Sequence, residues 1–372
     1  MDDDATAAAA IDERAAVAAT DETAAFAVID DALGAAVTAG AACNLCGGFD
    51  ATVLSRRSRS GRPLRTIVCR CCGLVRSDPR PHDARRFYES DYRRVYKRTF
   101  EPRAKHVLRA GKVALAKLEL IRPHLRARTR VVDVGGGGGE FAYLMKTLGL
   151  DVLAIEPNRD YAGYAAREYG LMVARGFVDE VALEAASCDL ITIWHVLEHT
   201  EDPADVLERL GRALRPTGLL VVEVPNVEAT CQSPGNTFHE AHLYDFNAAT
   251  LAALAAKTGL QVSASWLSAD GGNITAFLRP MPVDAPRAVG EQLALPGNHD
   301  RIVAIRRNHT PAAHWRSAHP YRRLAARLTR LLTEGWGTLR PLDSRRRLDA
   351  LYASACRRPL PSRVDAVGRP LA

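Results

Sequence analysis

No run of 18 uninterrupted apolar residues occurs in the 372-residue chain, and a membrane-spanning helix needs about that many. The opening Met1-Asp2-Asp3-Asp4 has neither the basic cluster nor the apolar segment of a secretory leader. Both lacks point to a cytoplasmic protein, in which the eight cysteines are thiols or metal ligands rather than disulfides. Residues 1–42 hold no Trp or Tyr, and the first forty carry nine acids against one base, Arg14. So little apolar bulk excludes a packed core there, and we expect an Ala- and Asp-rich tail over 1–42, partly helical at most. The last ninety residues lack lysine but are rich in arginine. Such a basic end suits nucleic acid, phosphorylated substrates or acidic partners, and equally a plain solvated surface. A hydrophobic content of 47% supports a sizeable core, and the length suggests two or three units.

The most distinctive stretch is Val131-Val132-Asp133-Val134 followed by Gly135 to Gly139, Glu140 and Phe141. A β-branched run, five glycines and a helical pattern read as a buried strand, a tight turn and a helix start. Glycine permits positive φ and close approach of a ligand to the backbone, and the helix start offers unpaired N–H groups. The dinucleotide pattern G-x-G-x-x-G/A fails from Gly135 or Gly136. From Gly137 it passes only with Ala142 as its last member. The pattern Asp-x-Gly-x-Gly-x-Gly is met by Asp133, Gly135, Gly137 and Gly139. A second strand over 151–155 ends at Glu156-Pro157, where a carboxylate is placed to accept both ribose hydroxyls of an adenosine.

These residues resemble motif I and the strand-two acid of the class I S-adenosylmethionine (SAM)-dependent methyltransferases. Asp189-Leu190-Ile191 with Val196-Leu197-Glu198-His199, and later Phe238 to Phe246 (FHEAHLYDF), resemble further segments of the same families. The likeness covers roughly residues 130–280. It implies an α/β fold with a Rossmann-like, seven-stranded, mostly parallel sheet and SAM as cofactor. It further implies that Asp133, Gly135, Gly137 and Gly139 order the cofactor loop and that Glu156 binds ribose. Pro157, Phe177 and Val178 would flank adenine, while Trp194 and His195 would face the sulfonium and acceptor.

Residues 43–80 change character. Cys43-x-x-Cys46-Gly and the run Cys69-Arg70-Cys71-Cys72-Gly73 are two knuckles able to close a tetrahedral Cys₄ site. We expect a zinc ribbon with Cys43, Cys46, Cys69 and Cys72 as ligands to a structural zinc, and Cys71 as the rival ligand. Residues 81–129 read as a helical linker or lid, with Phe87, Tyr88, Tyr92, Val95, Tyr96 and Phe100 at helix-like spacings. Residues 130–280 read as the SAM-binding domain, with strands at 130–134, 151–155, 171–175, 189–194, 219–224, 261–267 and 273–278. Residues 281–372 read as an Arg-rich helical extension. Some sugar C-methyltransferases carry a whole further domain here, and this segment is too short for one.

Methyl transfer from a sulfonium is an in-line displacement that needs alignment, and a base only if the acceptor carries a proton. His195, His199, His239 and His242 are the base candidates, with Tyr244 as a helper, since histidine titrates near neutral pH. His195-Val196-Leu197-Glu198-His199 also spells H-x-x-E-H, a zinc-peptidase motif. That motif needs a helix, and here it follows a strand, so no catalytic metal is expected from it. The expected activity is methylation of a small-molecule or sugar acceptor, at oxygen, in a biosynthetic pathway. Two alternatives stand beside it: an RNA methyltransferase gripping RNA through ribbon and arginines, and a non-catalytic SAM- or partner-binding module.

Overall fold

Every backbone group in a parallel sheet covered on both faces must be paired, and its strands are correspondingly apolar throughout. The run at 130–134 meets that demand. In the computed structural model, which describes residues 35–80, 85, 102, 104–282, 284–334 and 343–361, it is an interior strand of the larger sheet, paired on both sides.

In chain order the ribbon strands come first: β1 (Ala36–Thr38), β2 (Asp50–Arg57), β3 (Pro63–Cys69) and β4 (Val75–Ser77). There follow α1 (Ala104–Ile121), β5 (Arg130–Val134), α2 (Glu140–Thr147), β6 (Asp151–Glu156), α3 (Arg159–Tyr169), β7 (Met172–Arg175) and β8 (Cys188–Trp194). Next are α4 (Pro203–Ala213), β9 (Leu214–Pro225), β10 (Tyr244–Asp245), α5 (Ala248–Lys257), β11 (Leu260–Leu267) and β12 (Asn273–Pro280). Four helices finish the chain: α6 (Asn298–Asn308), α7 (Pro311–Arg316), α8 (His319–Glu334) and α9 (Ser344–Cys356).

The larger sheet runs β11-β12-β9-β8-β5-β6-β7. Five strands are parallel, and β12 lies antiparallel between β9 and β11. The strand order reverses between β5 and β8, which opens a crevice beyond their carboxyl ends. Local chemistry sets the helix starts around that crevice. Asp202 accepts from the N–H groups of Ala204 and Asp205, with Pro203 in the first turn of α4. Asn247 and Thr250 form a reciprocal capping box on α5.

The smaller sheet runs β1-β2-β3-β4-β10. Its last strand comes from the middle of the larger unit. Tyr244 and Asp245 pair antiparallel with Arg76 and Val75. Cys43, Leu45, Cys69, Cys72 and Leu74 also belong to the same buried cluster as Val132, Ile193 and Leu254. The ribbon therefore shares a core with the larger unit.

The structure departs from the sequence reading in three places. Ala36–Thr38, within the expected tail, form β1, because β2 offers an open edge to pair with. β9 begins at Leu214 rather than at 219, running on from α4 with a register shift opposite Cys188 and Leu190. The C-terminal extension is built into the fold. Tyr352 on α9 is fully buried and donates to the Glu140 carbonyl at 2.9 Å, and Leu348 packs where α1 offers only Gly111. The aromatic stripe at 87–100 lies outside the described residues. Among the described residues, no helix is long and apolar enough to cross a membrane.

Candidate active site

A cavity of about 540 Å³ opens at the carboxyl ends of β5, β6 and β8. Val134 and Gly135, where the glycine loop begins, form part of its lining. Gly135 sits at φ +70°, and a Cβ there would lie 2.2 Å from Val196 Cγ2, so turn and packing both require glycine. Gly139 caps α2 in the left-handed conformation, and its Cβ would meet Ala165 and Leu171 below 3.0 Å. Glu156, at the end of β6, is buried. Its Oε2 accepts from the Gly137 N–H at 2.7 Å, and its Oε1 accepts from the Asn158 N–H at 2.9 Å. The acid is thus locked in orientation at the cavity wall, which continues through Pro157, Phe177 and Val178. Asp133 lies beneath the loop, fully buried, accepting from Thr192 Oγ1 at 2.8 Å. Burial pushes its carboxyl up to about 6.

β8 ends in Trp194, His195 follows it, and both line the cavity. Lys117 Nζ, from α1, sits 4.0 Å from the centre of the Trp194 ring, a cation–π contact. His195 holds φ +55°, an uncommon conformation for a residue with a Cβ. Its Nε2 lies 3.1 Å from Glu223 Oε1 and its Nδ1 3.5 Å from Glu198 Oε1. Burial disfavours its charge, but the hydrogen bonds and charges of the two carboxylates outweigh that and push its pKa up to about 9.

The Cys₄ group is equally well defined. Cys43 Sγ and Cys72 Sγ are 3.5 Å apart, as are Cys46 Sγ and Cys69 Sγ. All four sulfurs lie within 4.8 Å of one another. Each knuckle closes through a left-handed glycine, Gly47 donating to the Cys43 carbonyl and Gly73 to the Cys69 carbonyl, both at 2.8 Å. Cys71 is exposed and outside the group. Four converging thiols with no apolar filler between them suit a tetrahedral zinc.

A methyltransferase-domain family model matches residues 89–265. This stretch is thus similar to a methyltransferase domain. Among curated proteins, the C-methyltransferase NovU of Streptomyces niveus is 28% identical over 240 residues, 62% of this chain and 55% of that protein. A ubiquinone biosynthesis O-methyltransferase of Paraburkholderia phymatum is 36% identical over 104 residues, 26% of this chain and 43% of its own length. The chain spans about half the length of the curated relatives it matches. A SAM-dependent methyltransferase structure from Aquifex aeolicus covers 49% of this chain and 100% of its own, with 18% identity and a TM-score of 0.39.

Within the methyltransferase domain, the cavity gathers Gly135, Glu156, Pro157, Phe177, Val178, Trp194, His195 and His199. Asp133, Gly137 and Gly139 are not part of the cavity lining. His239 and His242 are set back as well. Their rings stack at 5.0 Å, and His239 Nδ1 accepts from the Ala241 N–H at 2.9 Å. Burial, then the charges of His242 and Arg59, hold His239 down to about 3. Tyr244 is fully buried in β10, its hydroxyl donating to the Glu201 carbonyl. Three residues escaped the sequence reading: Glu223, Lys117 and Arg85. Glu223 sits on β9, whose pairing with β8 sets it beside Trp194. Arg85 lines the cavity, with its guanidinium over the Phe177 ring and ion-paired to Asp179 and Glu180. No local pattern marks any of them.

Proposed function

We propose that this protein is a SAM-dependent methyltransferase acting on a small-molecule or sugar acceptor, at oxygen, in a cytoplasmic biosynthetic pathway. The observation that carries it is the mixed lining of one cavity. Gly135, Glu156 and the apolar Pro157, Phe177 and Val178 share it with Trp194, His195, His199, Thr200, Glu201 and Arg85. The first group suits an adenosine, and the polar side chains suit a hydroxylated acceptor. A cavity of about 540 Å³ is in the usual range for small-molecule sites.

SAM, when bound, supplies an electrophilic methyl group on a sulfonium. Glu156, already held by two backbone N–H groups, binds the ribose. Asp133 and Thr192 brace the loop from below. Trp194 closes the space beside the reacting methyl, steadied by Lys117. His195 takes the acceptor's proton, and Glu223 and Glu198 fix the ring and stabilise the imidazolium. Cys43, Cys46, Cys69 and Cys72 hold one structural zinc. The relatives' names, a C-methyltransferase and an O-methyltransferase, agree with a small acceptor.

The test incubates purified protein with methyl-labelled SAM and an extract of its own source, with Glu156→Ala as the blank. Label in the small-molecule or glycan fraction, absent from the blank, is expected. Label confined to an RNase-sensitive fraction would overturn the reading in favour of an RNA substrate. SAM binding with no labelled fraction would favour a non-catalytic module.

A further inference from the structure

Behind the cavity, three side chains from two separate segments converge. Glu198 and His199 follow β8, and His242 precedes β10. Their potential ligand atoms lie within 4.8 Å of one another. Glu198 is 1% exposed. Its Oε1 faces His195 and His199, and its Oε2 is buried with no hydrogen-bond partner. An unsatisfied buried carboxylate oxygen is costly and calls for an explanation.

Hydrogen bonding fixes the histidine tautomers. His199 Nδ1 is 2.8 Å from the Ala241 carbonyl oxygen. A carbonyl only accepts, so Nδ1 carries the proton and Nε2 presents its lone pair. That Nε2 lies 3.7 Å from Glu198 Oε1. His242 Nδ1 is 3.2 Å from Asp245 Oδ1, which assigns its proton and leaves Nε2 as the ligating atom. A carbonyl or carboxylate holding the far N–H of each imidazole is the usual support of metal-bound histidine.

We infer that Glu198, His199 and His242 form a binding site for a first-row divalent cation, separate from the Cys₄ group. Two imidazoles and one carboxylate suit zinc, cobalt or nickel. With bonds of about 2.1 Å the ligand atoms would draw to about 3.4 Å apart, a small inward rotation of the side chains. The site differs from the H-x-x-E-H reading: His195 is not a ligand, and the third ligand comes from the segment before β10. His199 and Thr200 also line the cavity, so the ion would adjoin it. The inference does not depend on methyl transfer.

The test adds cobalt to the full-length protein after its Cys₄ group has been filled with zinc. One saturable equivalent is expected, with visible ligand-field bands and no thiolate-to-cobalt charge-transfer band. His242→Ala and the isosteric Glu198→Gln should each weaken that binding roughly tenfold or more. Absence of saturable binding by the wild-type protein would overturn the inference. So would a thiolate band alone, or affinity unchanged in Glu198→Gln. If His242→Ala loses its native circular dichroism, Glu198→Gln carries the comparison.

Discussion

His195 Nε2 lies 3.1 Å from Glu223 Oε1, joining the residue just after β8 to one near the end of the parallel strand β9. The pair sets the protonation of the proposed base. With its pKa pushed up to about 9, His195 is mostly imidazolium at neutral pH. Methyl transfer to a hydroxyl is therefore expected to rise about tenfold per pH unit from pH 7 until it levels near pH 9. Glu223→Gln removes one carboxylate that stabilises the cation, so the whole profile should move to lower pH. A pH series of kcat for both proteins checks this, and an unmoved midpoint would remove Glu223 from the role.

The same pair bears on stability. The folded-state pKa of His195 lies above its unfolded value of about 6.5. Its contribution is fully present below about pH 6.5 and is lost as pH rises through about 9. Wild-type protein should therefore lose more melting temperature than Glu223→Gln between those limits. Thermal melts across the range give the comparison.

Gly135→Ala should cost about 1–3 kcal/mol, because the new Cβ falls 2.2 Å from Val196 Cγ2 at φ +70°. Trimming the neighbour with Val196→Ala relieves the clash but not the backbone strain. The double variant should recover part of the loss and no more. Chemical denaturation of the four proteins in the cycle measures the coupling.

Removing the proposed zinc from the Cys₄ group, or replacing Cys72 with Ser, should lower stability by several kcal/mol. Because Leu45, Cys72 and Leu74 share a core cluster with Val132 and Leu254, the loss should appear as a single melting transition at lower temperature. Zinc content by mass spectrometry, alongside calorimetry, tests both parts. An early, separate ribbon transition would contradict the shared core.

Asn298→Ala should cost about 1–3 kcal/mol. Its side chain is buried, donating to the Cys72 carbonyl at 2.9 Å and accepting from Asn247 Nδ2 at 2.7 Å. The substitution removes the donor to the Cys72 carbonyl, while Asn247 Nδ2 keeps only its bond to Glu228 Oε1. The drop in denaturation midpoint measures it, and Asn298→Asp should not restore the donor to Cys72.

What could be read from the sequence was whatever chemistry is local. The Asp133-to-Gly139 turn, the acid after β6 and the twin Cys-x-x-Cys knuckles each carry their reason within a dozen residues. Glu223 and Lys117 carry theirs only through the sheet and α1, so nothing near them in the chain marks them. His239 stood beside His195 among the base candidates, and only the fold shows that a backbone N–H occupies its Nδ1. β1 escaped notice because three residues reading Ala-Val-Thr become a strand only where an open edge awaits them. Likewise α6 has a weak apolar pattern, and its place is set by Asn298 reaching the ribbon.

β10 belongs to one unit by sequence and to the other by hydrogen bonding. Just before it, the loop carrying His239 and Glu240 is fastened to the β2–β3 turn by Ser58 Oγ on Glu240 Oε1 at 2.7 Å and by the Arg59 N–H on the Phe238 carbonyl. A ribbon tied in this way is not a bead that can be exchanged between proteins by recombination at a linker. Its transfer would have to bring along a short segment some 170 positions away, so ribbon and catalytic domain are constrained to be inherited together and to drift together.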